Sequence, residues 1–258
     1  MAAKANKKAA RAAPAKAKQV VMKPPASRGK RAAAEAKADP AARAKARVVL
    51  DLLEKRHPDA HIYLDYKTPF QLLVATILAA QCTDERVNEV TPVLFGRYPT
   101  PADLAAARLA DVEKLIRSTG FFRQKAKSVI ECAKVIAGQY GGEVPADLDA
   151  LTKIRGIGRK TANVVLANAF GRPAIAVDTH VQRVSQRIGL ATVKDPEKIE
   201  KQLCALMPQK RWTRATLLLG THGRRICTAR KPDCPHCPVN SLCNYYADAL
   251  VAQPGAAS

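Results

Sequence analysis

The 258-residue chain predicts an all-α fold. Beyond about residue 40, apolar residues recur at helical spacing along most of its length. Glycine and proline punctuate these runs where helices stop and start. The one strand-like stretch, Ala174–Val177, is too short to build a sheet.

The elements follow in order. Residues 1–40 are mostly Ala, Lys, Arg and Pro, with Val20-Val21-Met22 the one bulky apolar cluster. Such a segment cannot bury enough surface to offset chain entropy and reads as a disordered basic tail. An organelle transit peptide is the alternative, but Lys outnumbers Arg and Ser is scarce. Val48, Val49, Leu52 and Leu53 mark the apolar face of a first helix that ends at His57-Pro58. Thr68 reads as an N-cap and Pro69 as the first helical residue before Phe70–Ala80. Asp84 is expected to cap a helix running to about Arg97. Thr100-Pro101 repeats the cap-then-proline signal, and Asp111–Ser118 stops at Gly120. Arg123–Tyr140 ends at Gly141-Gly142, and Arg159–Phe170 ends at Gly171. Asp178 precedes Val181–Ile188, Asp195-Pro196 opens a helix to about Met207, and Trp212–Gly220 leads towards a cysteine cluster. Residues 251–258 read as a flexible C-terminus.

Charge narrows the function classes. The net charge is +21, from 43 basic and 22 acidic residues. The first 45 residues carry +11, and the rest is still +10, so the globular part is basic in its own right. That favours a polyanionic partner, nucleic acid before others. With no apolar run of about 18 residues and no N-terminal h-region, neither a membrane span nor a secretory signal is expected. The expected compartment is a reducing cytosol. Cys82, Cys132 and Cys204 fall inside apolar helical patterns and read as small core residues.

The other four cysteines are spaced Cys227-x6-Cys234-x2-Cys237-x5-Cys243. Four thiolates this close can hold zinc or an iron–sulfur cluster, and two disulfides are the remaining reading. A reducing compartment counts against the disulfides.

A second signal is Leu151-Thr-Lys-Ile-Arg-Gly156-Ile-Gly158-Arg-Lys160-Thr-Ala162: a helix, a tight glycine turn and a new helix. The amides of the turn and of the next helix N-terminus can point at a phosphate. An ordinary structural corner is the bland alternative. A nucleotide phosphate loop is disfavoured, since no strand precedes the turn and the Gly-Lys-Ser/Thr order is absent. Lys160, at a helix start beside Arg159, meets two positive influences that disfavour its ammonium form, as an amine nucleophile requires. Asp178, in Val177-Asp178-Thr179-His180, can accept a proton or stabilise growing positive charge. The bland readings are a phosphate contact for Lys160 and a helix cap for Asp178.

In their order, the hairpin, the Val-Asp-Thr-His segment and the cysteine loop preceded by His222-Gly223-Arg224 resemble the endonuclease III family of DNA glycosylases. The resemblance covers about residues 45–247. It implies two helical domains with DNA between them: a six-helix barrel with a helix–hairpin–helix at 62–172, and a cluster domain at 41–61 plus 173–250. It implies Lys160 as nucleophile, Asp178 as catalytic carboxylate, and Cys227, Cys234, Cys237 and Cys243 as ligands of a [4Fe–4S] cluster. DNA contacts are expected from Gly156, Gly158 and Arg159, and from Arg230 and Lys231 in the cysteine loop. By the same resemblance Gln81 fills the hole left by an extruded nucleotide, Asp84 lines the pocket, and Phe121 is a wedge.

The implied activity is that of a bifunctional glycosylase/AP lyase. It removes oxidised pyrimidines from duplex DNA through a lysine Schiff base and cuts 3′ by β-elimination. The expected protein is a cytoplasmic, nucleoid-associated monomer. Three departures bear on the preferred lesion: Ala79 where many members have Ser, Arg155 where the hairpin usually has Pro, and Phe121 for Leu. An adenine-glycosylase relative is disfavoured by Thr76 and Lys160. A non-catalytic, cluster-bearing DNA-binding or redox-sensing protein is the rival from another class.

Overall fold

The computed structural model describes residues 39–252, and every regular element among them is helical. The basic tail, up to residue 38, and residues 253–258 lie outside the described residues. Ala174–Val177 belongs to no strand among the described residues.

Helix α1 (Pro40–Arg56), with its cap at Asp39, begins inside the expected tail. Asp39 accepts from the Ala41 amide at 3.1 Å and Pro40 occupies the first turn, so both belong to the helix start. The same device opens α2 (Pro69–Leu78, cap Thr68) and α4 (Pro101–Ala105, cap Thr100). Helix α3 (Asp84–Arg97) corrects the expected cap. Thr83 accepts from the Arg86 amide at 3.3 Å, which releases the Asp84 carboxylate from capping. Helix α5 (Leu109–Ile116) runs into a 3₁₀ turn, Arg117–Thr119, and α6 (Phe122–Gln139) follows. Then come α7 (Leu148–Lys153), α8 (Arg159–Ala169), α9 (Thr179–Ile188), α10 (Pro196–Leu206), α11 (Trp212–Arg225) and α12 (Asn244–Ala252). Helix α12 therefore carries Val251 and Ala252 past the expected start of the flexible C-terminus. Helix α11 passes through Gly220 and Gly223 instead of stopping. At Gly223 an added Cβ would sit 2.8 Å from the His180 Cβ, so glycine lets α9 and α11 pack closely.

The apolar side chains form two cores. The first runs from Leu64 to Leu166 and draws on α2 to α8. The second combines α1 and Ala60 with Ile175, Val177, α9, α10, α11 and Val239. The chain's first helix thus packs with its last third. Arg214 on α11 fixes this return: it pairs with Glu54 on α1 at 2.6 Å and donates to the carbonyls of His57, Pro58 and Ala60. Cys132 is buried in the first core, and Cys204 packs partly buried against the second. Cys82 departs from the helical reading, since it lies in the bend between α2 and α3.

Candidate active site and cysteine cluster

The hairpin follows from local chemistry. Helix α7 ends at Lys153 and the chain turns through Ile154–Gly158, with the Ile157 amide donating to the Ile154 carbonyl at 3.0 Å. Gly156 takes φ +87°, a left-handed conformation that L side chains resist. Gly158 is the N-cap of α8 and offers no side-chain cap, so the first-turn amides remain available to an anion. Lys160 is exposed in that first turn. Arg159 is held in a bidentate pair with Glu200 of α10, at 2.7 and 2.8 Å. Its guanidinium is thus committed to a bridge between the two cores.

Asn163, one turn after Lys160 on the same face of α8, positions the next segment. Its buried amide donates to the Ile175 carbonyl at 2.9 Å, and the Ala176 amide donates to Thr216 Oγ1 at 3.3 Å. These bonds lay residues 174–177 between α8 and α11 and deliver Asp178 to the start of α9. Asp178 Oδ1 accepts from the Val181 amide at 2.7 Å, so the helix cap expected at this residue is present. Burial lowers the His180 pKa, and Arg183 directs an N–H at its Nδ1 from 3.1 Å.

Lys160, Asp178 and Asp84 line one open cleft of about 740 Å³, with Ala79, Val164, Thr216, Thr221 and Arg224 also in its wall. Asp84 receives the Arg224 guanidinium at 3.1 Å across the two cores, and Arg224 lies over the Tyr63 ring at 4.9 Å. Tyr63 also lines the cleft, and its hydroxyl is 3.4 Å from Thr221 Oγ1. Tyr63 and Thr221 carried no sequence signal. Arg224 was visible only as part of the motif before the cysteines.

Gln81 and Phe121 do not line this cleft. Both are exposed, Phe121 by 68 %. They are the non-glycine residues at positive φ among the described residues, at +54° and +46°. Such backbone costs of order 1–3 kcal/mol each, persists only where the surroundings impose it, and clusters at functional sites.

The four cysteines ring a second space of about 330 Å³ walled by Ile188, His222, Ile226 and Val239. Among the described residues, no three His, Cys, Asp or Glu groups converge tightly enough for a single ion. Four cysteines lining one space suit a multi-iron cluster. Burial pushes the Cys237 thiol up to about 11, so thiolates there need a cationic partner. Arg187 on α9 points its Nη1 at Cys227 Sγ from 3.4 Å and holds the Thr228 and Ala229 carbonyls at 2.8 and 2.9 Å. The loop bearing the exposed Arg230 and Lys231 is thereby tied to the helix that Asp178 caps. His222 Nε2 lies 3.5 Å from Cys237 Sγ, and its Nδ1 lies 3.1 Å from His57 Nε2. Burial holds His222 down to about 4 and lowers His57 as well.

Comparison with known proteins places these features together. Residues 74–209 match the HhH-GPD superfamily base excision DNA repair protein family, and residues 227–243 match the iron–sulfur binding domain of endonuclease III. The chain is 52% identical to endonuclease III of Synechocystis over 196 residues, covering 76% of this chain and 90% of that protein. It is 39% identical to the Escherichia coli enzyme, covering 79% and 96%. A trapped endonuclease III–DNA covalent intermediate superposes with a TM-score of 0.78 at 44% identity, over 81% of this chain and 98% of that one.

Proposed function

This chain belongs to the endonuclease III family, and we propose that it is a bifunctional DNA glycosylase/AP lyase acting on oxidised pyrimidines in duplex DNA. The observation that carries this reading is the meeting of Lys160 and Asp178 in one cleft, each presented by a different helix N-terminus.

A stacked base is out of reach, so the nucleotide is first extruded into the cleft. Phe121 wedges the duplex and Gln81 fills the vacated space. Arg224, fixed by Asp84 and stacked on Tyr63, offers N–H donors to the carbonyl oxygens of a damaged pyrimidine. Neutral Lys160 attacks the anomeric carbon, the glycosidic C–N bond breaks, and the base leaves with the electron pair. Asp178 stabilises positive charge growing on the sugar and can accept the amine proton. The sugar ring then opens to the Schiff base. That electron sink acidifies the adjacent sugar proton, whose loss expels the 3′ phosphate by β-elimination.

The amides from Gly156 to Lys160 grip one phosphate, and Arg230 and Lys231 grip another. The protein carries a [4Fe–4S] cluster, which Cys227, Cys234, Cys237 and Cys243 would hold. Its metal–ligand bonds brace the short loop that holds those two cations. Among the described residues, no helix is long and apolar enough to cross a membrane. The reading places the enzyme as a monomer on nucleoid DNA in the cytoplasm.

The test is incubation with duplexes carrying thymine glycol, a bare abasic site or uracil. Cleavage at the first two and sparing of uracil are expected. Binding without any nicking would favour a non-catalytic DNA-binding protein.

A further inference from the structure

We propose that Lys125 is a positioning residue for nucleotide extrusion: its buried ammonium clamps together the two loops that present Gln81 and Phe121. The inference rests on the reading that those two residues enter the duplex.

Lys125 sits in the first turn of α6 and is only 5 % exposed. Its Nζ donates to the Leu78 carbonyl at 2.8 Å and to the Thr119 carbonyl at 2.7 Å. Leu78 is the last residue of α2, three residues before Gln81. Thr119 ends the 3₁₀ turn, two residues before Phe121. Both carbonyls therefore belong to helix ends, where intrahelical donors run out and partial negative charge collects. One cation satisfies two acceptors from segments far apart in sequence.

The choice of lysine is informative. Burial pushes its pKa down, and its hydrogen bonds go to backbone carbonyls, with none to a carboxylate. An apolar side chain would fill the site without that desolvation cost but would leave two buried carbonyls unsatisfied and the loops unconnected. The left-handed backbone at Gln81 and Phe121 lies just beyond the two clamped carbonyls. Strained backbone needs surroundings that impose it, and the Lys125 clamp is placed to do so for both loops at once.

The test uses the full-length, cluster-bearing protein and single-turnover base release. One duplex carries thymine glycol fully paired, and a second carries it in a mismatched bubble where extrusion is already accomplished. Lys125→Met should slow release from the paired duplex by about ten- to a hundredfold, the range expected from misplacing positioning groups. It should stay within about twofold on the bubble, since the chemistry is untouched. Phe121→Ala should discriminate between the substrates in the same direction. The double variant should lose less than the sum of the two, because both act through one step. If Phe121→Ala shows no discrimination, the insertion reading itself fails. If Phe121→Ala discriminates but Lys125→Met slows both substrates equally, slows neither, or adds fully to Phe121→Ala, the clamp is overturned. Should Lys125→Met not melt cooperatively, Lys125→Gln, whose uncharged amide nitrogen sits one bond nearer the backbone and so cannot bridge both carbonyls, carries the same comparison with the same deciding outcomes.

Discussion

At the residue scale, Asp178 combines a structural bond with a chemical position. One oxygen caps α9 through the Val181 amide, while the side chain lines the cleft with Lys160. A capped carboxylate is a fixed carboxylate, so the two roles reinforce each other. They separate by substitution. Asp178→Asn retains a capping oxygen and should change stability by less than about 1 kcal/mol in a thermal melt. It should slow base release by about a hundredfold or more, since the charge is gone. Asp178→Ala should lose the cap as well, costing about 1 kcal/mol. An Asn variant that releases base at the wild-type rate would remove Asp178 from the chemistry. Lys160 and Asp178, which line one cleft, stood out as candidates in the sequence because their residue types sit in short ordered motifs. Lys125 and His57 were not. A lysine four residues after Phe121 looks like any solvated helix cation, and its burial arises from the packing of α6 against α2, 47 positions away. Tyr63 was hidden for the same reason: its partner Arg224 comes from the far end of the chain.

At the element scale, cap-then-proline pairs predicted helix starts well, because Thr or Asp followed by Pro supplies both the missing acceptor and the fixed φ. The rule also applies at Asp39-Pro40, where the tail composition obscured it. Asp84 was misassigned as a cap because Thr83 beside it competes for the same role. Helix α11 outran its expected end because close contact with α9 favours glycine inside the helix. The cysteine loop is the element with the clearest testable consequence. Arg187 holds its carbonyls while Arg230 and Lys231 stand exposed. Replacing both Arg230 and Lys231 with Ala should weaken binding to all duplexes alike. It should also lower the slope of log affinity against log salt by about 0.9, the value for one phosphate contact. Fluorescence anisotropy across a salt series measures this. An unchanged slope would mean that the loop does not meet phosphate.

At the scale of the whole molecule, the cleft depends on the chain's return path. Helix α1 packs with the last third of the chain, so the second core stands beside the first, and residues 174–177 lie along the junction. Among the described residues two ion pairs cross it, Arg159 to Glu200 and Asp84 to Arg224. This arrangement brings an amine from α8 and a carboxylate from α9 to one cleft. The all-α class was legible from periodicity alone. The pairing of distant helices was not, and came only with the resemblance of the ordered motifs. The most direct test of the account is covalent capture. Borohydride added during reaction on a thymine glycol or abasic duplex should reduce the Schiff base and leave the wild-type protein attached to DNA. Lys160→Gln should bind the duplex, because on the proposed reading the hairpin grips phosphate through backbone amides, yet give no attached species and no nick. Full capture by Lys160→Gln would place the nucleophile elsewhere and contradict the account.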